Sequence, residues 1–343
     1  MHNSDANKSA CRIILDAMGG DHAPHNVVLG AVEALKVNPS LNLRLIGIKS
    51  KILDVLHKNN LTFDENNIID TPEVIEMGDS PTQSLKQKRN SSIVVGAQLV
   101  KEKSADAFVS AGNTGAMMAA STLIMGRIPG IGRPTIGSIM PNAMGITTVF
   151  DVGASVDSKP IHLLEYAIMG SIFTKEIFGI KNPSVGTLSV GEEETKGNEA
   201  SIEAAKLIRK TNLNFLGNVE GRDILNGSVN VVVCDGFTGN IILKFGEGVL
   251  TFLKTKMKNY ASTGLLNKIK VGIAYSALKN ILKDFDYQEY GGVPLLGVNG
   301  ISIIGHGSST PKAIKNMVLR AEEMHRKDLI NKIENSIKQY SNL

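Results

Sequence analysis

The sequence predicts a three-layer α/β/α fold built on a mostly parallel sheet. Short apolar runs alternate along the chain with longer segments of helical periodicity, which is the pattern of a parallel sheet covered on both faces. At three places an apolar run stops in a polar, glycine-containing turn that leads directly into a helix pattern, at 107–119, 231–240 and 301–310. The chain is 343 residues long and shows no internal repeat or low-complexity linker. A single α/β domain over residues 11–343 is therefore expected.

The predicted elements follow one another in βα order from the first apolar run. Strands are predicted where apolar residues run unbroken or alternate with polar ones, at 12–16, 42–48, 67–70, 107–110, 133–140, 145–151, 184–190, 214–216, 229–234 and 301–304. Helices are predicted where apolar residues recur every three or four positions, at 25–36, after 50, at 80–103, from 116, at 160–178, at 199–210 and from 311. The residues before them, 1–10, are polar and are expected to form a disordered N-terminal tail.

One segment, 246–286, departs from the βα pattern. Apolar residues recur at helical spacing on both sides of a Ser-Thr-Gly break at 262–264, which predicts an amphipathic helical hairpin inserted into the domain and projecting from it. Between Val249 and Lys283 there are seven lysines and no acid. The alternative is a helix pair packed on the core with solvated lysines. The predicted contact with an anionic membrane or an acidic protein is the tip of the hairpin, Leu265, Leu266, Lys268 and Lys270.

Composition and charge are those of a cytoplasmic protein, at most attached peripherally to the inner face of a membrane. Hydrophobic residues make up 42% and charged residues 20%, as in an ordinary globular protein, and no apolar run reaches the length of a membrane span. The N-terminal residues lack the apolar centre of a signal peptide. Cys11 and Cys234 have no metal-type spacing and are expected to be buried thiols in a reducing compartment. No nucleic-acid partner is expected.

The turn at 111–115, Ala-Gly-Asn-Thr-Gly, typifies the three strand-to-helix turns. A helix that opens directly after a strand leaves several backbone N–H groups unpaired, and its dipole is positive at that end. Such a turn can bind an anion without a cationic side chain. In an open α/β sheet the turns would share one carboxyl edge, where ligands bind. The signatures of a P-loop, a zinc protease and a nucleophile elbow are absent from the sequence.

Few other residues suggest a catalytic group. His22 and His25 with Asp21 have a spacing that could suit a metal, but histidines in turns more often make hydrogen bonds, and no metal is expected. Cys234 ends an apolar run and is more readily explained as a buried thiol than as a nucleophile. Anion-binding turns and a few cations, Lys159 and Lys196 foremost, suit a reaction in which phosphate is itself the nucleophile. Such a transfer needs orientation and charge stabilisation rather than a catalytic triad.

Seven stretches of sequence, spread over nearly the whole chain, match one known family. They are LDAMGGDHAP (15–24), VSAGNTGAMMA (109–119), DVGASVDSKP (151–160), VGTLSVGEEETKGNE (185–199), NFLGNVEGRDI (214–224), VVVCDGFTGNIILK (231–244) and EYGGVPLLGVNGISIIGHGSS (289–309). On these motifs the chain resembles the PlsX family of acyl-acyl-carrier-protein:phosphate acyltransferases. Ser155 stands where the family pattern has asparagine, and Phe245-Gly246 lies at a variable place.

The resemblance implies an enzyme that transfers a long-chain fatty acyl group from acyl carrier protein to inorganic phosphate. The product would be an acyl phosphate for phospholipid synthesis, taken up by a membrane-bound glycerol-3-phosphate acyltransferase. The implied fold is Rossmann-like and similar to the isocitrate and isopropylmalate dehydrogenases and the phosphotransacetylases. The implied assembly is a homodimer, and no cofactor is implied.

Phosphate and the acyl carbonyl are expected to bind among the turns at 19–22, 112–115, 196–199, 235–240 and 306–309. Lys196 is expected to stabilise negative charge, with Asn113, Thr114 and Asn240 as orienting donors; the alternative for Lys196 is a surface lysine. Phosphate would attack the thioester directly, without an acyl-enzyme. The other predicted binding residues lie in or beside these turns: Gly19, Gly20, Asp21, His22, Gly112, Gly115, Lys159, Asn198, Asp235, Thr238, His306, Gly307 and Ser308.

Two functions of other classes remain open on the same sequence. A nicotinamide-dependent dehydrogenase of this fold would carry a cluster of aspartates for a divalent metal and an acidic residue that selects the adenosine ribose, and neither is evident. A catalytically inert lipid-binding or scaffold protein would not need polar turns repeated at strand ends.

Overall fold

The computed structural model describes residues 10–281 and 287–340 and has the predicted three-layer α/β/α fold. The predictions for the tail before Ala10 and for 282–286, at the end of the hairpin, concern residues outside these ranges. The strands are β1 (Arg12–Asp16), β2 (Asn42–Gly47), β3 (Ile68–Asp70), β4 (Ala107–Ser110), β5 (Thr135–Asn142), β6 (Gly145–Phe150), β7 (Ser184–Leu188), β8 (Asn214–Val219), β9 (Val231–Val233), β10 (Val293–Leu296) and β11 (Ile301–Ile304). The helices are α1 (His25–Val37), α2 (Lys49–Lys58), α3 (Pro81–Gln87), α4 (Ser92–Lys101), α5 (Thr114–Ala120), α6 (Pro160–Phe178), α7 (Glu199–Ile208), α8 (Gly221–Asn226), α9 (Gly236–Ser262), α10 (Leu265–Ile281), α11 (Pro311–Arg326) and α12 (Leu329–Gln339).

The strands form one sheet in the order β3-β2-β1-β4-β11-β10-β5-β6-β9-β7-β8. Strands β3, β2, β1, β4 and β11 are parallel to one another, and so are β6, β9, β7 and β8. Between these two groups, β10 and β5 are each antiparallel to both of their neighbours. The second parallel group therefore runs opposite to the first. The prediction that all the strand-to-helix turns share one edge of the sheet is wrong for this reason.

Two apolar cores lie on the two faces of the sheet. Side chains of a strand alternate between faces, so Ile13 and Leu15 of β1 join the core formed with α1, α6 and α11, while Ile14 joins the core formed with α4 and α5. All three are completely buried. Because both faces of the sheet are covered, a strand such as β1 is apolar at consecutive positions and does not alternate apolar with polar residues. The sequence pattern had indicated a sheet of this kind.

The helix predicted at 80–103 is two helices, α3 and α4, with a break between them. Ser91 opens the second helix, because its hydroxyl accepts a hydrogen bond from the backbone N–H of Val94 at 3.4 Å. Within the break, the ammonium of Lys88 binds the carbonyl oxygen of Val74 at 2.8 Å.

Strand β10 was not predicted from the sequence. It is four residues long, contains Pro294 and is flanked by glycines.

Helices α9 and α10 pack against each other and form the predicted projecting hairpin, with its turn at Thr263 and Gly264. The first helix begins at Gly236 rather than near 246, because Asp235 caps it directly after β9. Large apolar side chains on both helices are exposed, including Phe245, Leu265 and Leu266, which are 72 to 76% accessible. The alternative of a helix pair buried on the core therefore does not hold for the described part of the hairpin.

Candidate functional site

The turns that follow β1, β4 and β11 meet in what we call the first turn cluster. Asp16, the last residue of β1, is buried, and its carboxylate accepts a hydrogen bond from the hydroxyl of Ser110 at 2.7 Å. The Ser110 hydroxyl in turn accepts one from the backbone N–H of Gly112 at 3.0 Å. A Cβ at Gly19 would lie 2.6 Å from the nitrogen of Gly112, so only glycine allows the two turns to approach this closely. Burial raises the pKa of Asp16 above its ordinary value.

The third turn of this cluster is joined to the first by its backbone. The N–H of Asp21 donates to the carbonyl oxygen of Gly307 at 2.7 Å. His306 and Ser308 contact each other, with 2.8 Å between Nδ1 and Oγ. The side chains of Asp21, His22, His306 and Ser308 are exposed, and Gly20 and Gly307 are partly exposed. The structure thus brings together the residues predicted at 19–22, 112–115 and 306–309.

Asn113 has a structural task within this cluster. Its side-chain oxygen caps α5 by accepting a hydrogen bond from the N–H of Ala116 at 3.0 Å. Its NH₂ group lies 3.0 to 3.1 Å from three backbone carbonyl oxygens of the preceding loop, those of Glu76, Met77 and Asp79. Since an amide NH₂ has only two hydrogens to donate, Asn113 holds this loop in place rather than offering a donor to a substrate. Thr114, beside it, is exposed.

A second turn cluster lies where β6, β7 and β9 end. Asp151 follows β6 and is completely buried, and its carboxylate accepts hydrogen bonds from the backbone N–H groups of Ile136, Gly153, Ala154 and Ser155 at 2.8 to 3.2 Å. Desolvation nevertheless raises its pKa. The carboxylate fixes the loop that leads into α6. Asp151 is therefore part of the support of the site.

Three helices begin around the second cluster, and two of them are capped by residues that were predicted for the site. The Asn198 side chain accepts a hydrogen bond from the N–H of Ser201 at 2.8 Å and caps α7. The Asp235 carboxylate accepts hydrogen bonds from the N–H and the hydroxyl of Thr238, both at 2.8 Å, and caps α9. The third helix, α6, begins with Pro160.

A cavity of about 740 Å³ opens between these helix starts. Its polar lining includes the carboxylates Asp157 and Asp235, Ser158 just before α6, Asn198 and Ser201 at the start of α7, and Thr238 at the start of α9. The apolar part of its lining is formed by Val156, Leu163, Leu188, Val190, Phe237 and Ile242. The positive ends of three helix dipoles beside an apolar wall suit a molecule that combines an anion with a hydrocarbon chain.

Lys196 lies beside this cavity, in the loop that precedes Gly197 and Asn198 of its lining. The loop is held by Asn218, whose side-chain NH₂ donates to the carbonyl oxygen of Lys196 at 3.1 Å. Lys196 is exposed and makes no salt bridge within the described part of the chain.

Two of the three glutamates of the same loop are paired with arginines, whereas the Glu193 carboxylate lies on the same side of the loop as the Lys196 side chain. Glu192 pairs with Arg222 at 3.3 Å, and Glu194 pairs with Arg209 at 2.7 Å. All three glutamates, 192–194, are exposed. The acidic run is thus a solvated surface feature.

The remaining predicted residues of this half lie at its edge. Lys159 precedes α6 and is exposed, and its backbone N–H donates to Nδ1 of His162 at 3.1 Å. Asn240 is exposed on the first turn of α9, with its side chain about 3.7 Å from the position that a Cβ on Gly153 would take. The five predicted turns therefore fall into two groups, one in each half of the sheet.

Two residues of this half were not predicted from the sequence. The Ser189 hydroxyl is buried in the cavity lining and has no hydrogen-bond partner among the described residues. Ser189 could have been predicted from its position directly after β7, because the other residues of the site also follow the ends of strands. Arg133 was interpreted as the first residue of a strand, but β5 begins two residues later and Arg133 lies in the loop before it.

The side chains close enough to share a metal ion in the described residues are Cys11, Asp106 and His325. They lie near the amino ends of β1 and β4, at the edge of the sheet opposite to the first turn cluster. Both oxygens of Asp106 already accept hydrogen bonds from Arg12, at 2.7 to 2.9 Å, so a metal ion would have to displace a guanidinium. This group therefore fits an ion pair better than a metal site.

Comparison with known sequences places the chain among acyltransferases. Residues 11–332 match the family described as fatty acid synthesis protein. The chain is 50% identical to a phosphate acyltransferase of Pelotomaculum thermopropionicum over 326 residues, which is 95% of each protein. It is 46% identical to a phosphate acyltransferase of Halothermothrix orenii, over 95% of this chain and 98% of the relative.

Comparison with solved structures confirms the predicted fold. A phosphotransacetylase from Streptococcus pyogenes matches with a TM-score of 0.60 and 19% identity, over 91% of this chain and 93% of the other. A 4-hydroxythreonine-4-phosphate dehydrogenase from Klebsiella pneumoniae matches with a TM-score of 0.53 and 14% identity, over 93% and 100% of the two chains. At these identities the likeness concerns the fold alone.

Proposed function

The chain belongs to the PlsX family of phosphate acyltransferases, and on that premise we propose that it transfers a long-chain fatty acyl group from acyl carrier protein to inorganic phosphate. The product is an acyl phosphate for phospholipid synthesis. The observation that carries the proposal is the cavity of the second turn cluster, where three helix starts meet an apolar wall beside the exposed Lys196. Phosphate binds at the helix starts, and the acyl chain lies along the apolar side.

The proposed reaction is a direct transfer. An oxygen of phosphate attacks the carbonyl carbon of the thioester, and negative charge develops on the former carbonyl oxygen. The carbon–sulfur bond then breaks, its electron pair leaves with the sulfur, and the thiolate takes a proton from water. Lys196 stabilises the phosphate or the developing oxyanion, while Asn240, Thr114 and the free hydroxyl of Ser189 orient the reactants.

Sheet twist supports a role for both turn clusters in one site. Adjacent strands are rotated by about 20 to 25° on average, and five steps separate β4 from β9, a rotation of about 100 to 125°. Because β4 and β9 also run in opposite senses, their carboxyl ends point about 55 to 80° apart rather than 180° apart. On this basis we propose that turns of both clusters contribute to the site.

Incubation of the protein with acyl-acyl-carrier-protein and phosphate tests the proposal. Release of the carrier thiol that depends on both phosphate and enzyme is the expected result. A dehydrogenase would release no thiol and would instead reduce a nicotinamide cofactor, and a binding protein would do neither. Absence of phosphate-dependent thiol release would contradict the proposed function.

Replacement of Cys234 by alanine should leave most of the activity. The thiol lines the cavity but is buried, and burial together with the nearby Asp235 and Asp151 carboxylates raises its pKa, so it stays protonated and a poor nucleophile. The loss of one buried atom should cost about 1 kcal/mol of stability. The measurement is steady-state turnover together with a search for labelled acyl group bound to the protein. An acyl group trapped on Cys234 during turnover would show that the transfer is not direct.

We also propose that the hairpin attaches the protein to an anionic membrane, where a membrane-bound glycerol-3-phosphate acyltransferase consumes the product. Within the described residues no helix is both long and apolar enough to span a bilayer. The exposed Leu265 and Leu266 at the tip, with Lys268 and Lys270 beside them, suit reversible binding at the surface.

The apolar residues exposed along α9 support a homodimer in which a second copy covers them.

Vesicle co-sedimentation tests the membrane contact. The double variants Leu265→Glu/Leu266→Glu and Lys268→Glu/Lys270→Glu should each bind anionic vesicles at least about tenfold more weakly, since each lysine near such a surface contributes about 1 kcal/mol. Val37→Glu, at an exposed apolar position on α1, is the control and should bind normally. If both double variants bind as the unchanged protein does, the hairpin is not the membrane contact.

A further inference from the structure

Three cationic side chains gather at one edge of the cavity. Arg127 donates to the carbonyl oxygen of Gly132, and Lys159 is joined through its backbone N–H to the buried His162. Arg133 follows Gly132 directly. All three cations are exposed, and none of them forms a salt bridge in residues 10–281 and 287–340. We call this group the basic rim.

The loop that contains Gly132 and Arg133 is fixed by hydrogen bonds to a buried carboxylate. The buried carboxylate of Glu165, on α6, accepts the backbone N–H of Gly132 at 3.0 Å and that of Arg133 at 3.3 Å. The charge of Arg127 acts on Glu165, whose oxygens are engaged by the backbone. A Cβ built on Gly132 would lie 3.0 Å from the His162 ring, which places this loop against the helix that begins after Lys159. Burial lowers the pKa of His162, and the charges of Arg133, Lys159 and Arg127 lower it further.

The basic rim adjoins the mouth of the cavity. One guanidinium nitrogen of Arg133 donates to the Ser155 hydroxyl at 2.6 Å and to the carbonyl oxygen of Asp157 at 3.1 Å. Asp157 and its neighbours on both sides, Val156 and Ser158, line the cavity. Arg133 therefore contacts a residue of the cavity lining directly, and Lys159 follows the lining residue Ser158 in the sequence. A molecule bound to the basic rim would lie next to the mouth of the cavity.

We propose that Arg127, Arg133 and Lys159 form the surface on which the acidic acyl carrier protein docks while its acyl group enters the cavity. The inference rests on the proposed function, because only a carrier-borne substrate must dock beside the cavity that takes its acyl group. The exposed charges of the surface are three cations and Asp157, since the carboxylates of Glu165 and Asp151 are buried, and its exposed charge is opposite to that of the carrier. The hairpin lysines, on helices that project from the body, are left for the membrane.

Binding of fluorescently labelled acyl carrier protein, followed by anisotropy, tests the docking surface without requiring turnover. The variant Arg127→Glu/Arg133→Glu should bind the carrier at least tenfold more weakly than the unchanged protein. Lys51→Glu/Lys58→Glu carries the same change of charge on α2, beside β2 and β3 at the far end of the sheet, and should bind normally. In the unchanged protein, added salt should weaken binding, because exposed charge pairs are screened.

A second variant distinguishes the loss of charge from a failure of the protein to fold. Arg127→Gln/Arg133→Gln removes the charges but keeps groups that can donate hydrogen bonds to Gly132 and Ser155, and it should weaken carrier binding in the same direction by a smaller factor. In turnover, both variants should raise KM for the acyl carrier and leave kcat within about twofold, as expected for a contact made outside the reacting groups.

The outcomes separate this proposal from the proposed function. Normal carrier binding by both arginine variants, or loss of binding in Lys268→Glu/Lys270→Glu alone, would overturn the docking surface even if the enzyme transfers acyl groups. If the unchanged protein binds the carrier through the basic rim but releases no thiol, the docking surface stands and the proposed reaction fails. If the unchanged protein does not bind the carrier, the docking proposal is wrong.

Discussion

Replacing Lys196 by alanine should lower the rate of acyl phosphate formation by about two to three powers of ten, the usual cost of losing one preorganised charge-stabilising group. Lys196 lies in the loop that lines a cavity surrounded by helix starts, and the exposed side chain makes no salt bridge among the described residues. The charge of Lys196 is therefore available to a bound anion. The measurement is thiol release from acyl-acyl-carrier-protein as a function of phosphate concentration.

The dependence on phosphate distinguishes two tasks of this lysine. If Lys196 holds phosphate before the reaction, the variant should have a higher KM for phosphate. If it acts only on the developing oxyanion, kcat should fall with an unchanged KM. Lys210→Ala, an exposed lysine just beyond the other end of α7, is the control and should keep normal kinetics. Near-normal turnover of Lys196→Ala would make Lys196 an ordinary surface residue.

Local sequence signals predicted most helices and strands well because each signal acts over a few residues. The helix predicted at 160–178 has the observed bounds, since Pro160 suits a first turn and Gly179 ends the helix in the left-handed region with φ 71°. The break between α3 and α4 was missed for the opposite reason. The contact of Lys88 with Val74 joins residues 14 apart in the sequence, and no local pattern contains it.

The direction of the second parallel group of strands could not be predicted from local sequence patterns. A four-residue strand with a proline, β10, inserts antiparallel between β11 and β5 and, together with β5, separates the two parallel groups. Proline lacks an N–H group and is a signal against a central strand, so this segment was passed over. The missed strand left the reversal of the second group unpredicted, and the expectation of a single edge for the three strand-to-helix turns was wrong.

The positions of residues beside strand ends could be predicted from the sequence, but the contacts between them could not. Asn198, Asp235 and Thr238 were predicted from turn composition, and all three line the cavity. The structural task of Asn113 could not be inferred, because the carbonyl groups that it binds lie 34 to 37 residues earlier. Arg133 reaches the site only through its contacts with Ser155 and Asp157, more than 20 residues later.

Replacing Gly239 by alanine should disrupt the second turn cluster. Gly239 lies on the first turn of α9, and a Cβ built there would be 1.9 Å from the carbonyl oxygen of Asp151 and 3.1 Å from Sγ of Cys234. Because the first contact is with backbone, the helix start must move away from β6. Overpacking of this kind typically costs about 1 to 3 kcal/mol. Phe237 and Thr238 of the cavity lie on the same turn, and a displacement of about 1 Å at a reacting site can cost about a hundredfold in rate.

The same helix offers a matched control for this substitution. Gly246 is exposed, and a Cβ there would have no neighbour within 4 Å. Gly246→Ala should leave turnover unchanged and stabilise the protein by up to about 1 kcal/mol, since alanine is the better helix former. Thermal unfolding and steady-state kinetics of both variants give the comparison. If Gly239→Ala unfolds at the temperature of the unchanged protein and turns over at its rate, α9 does not pack on Asp151 as closely as described, and the cavity does not depend on that contact.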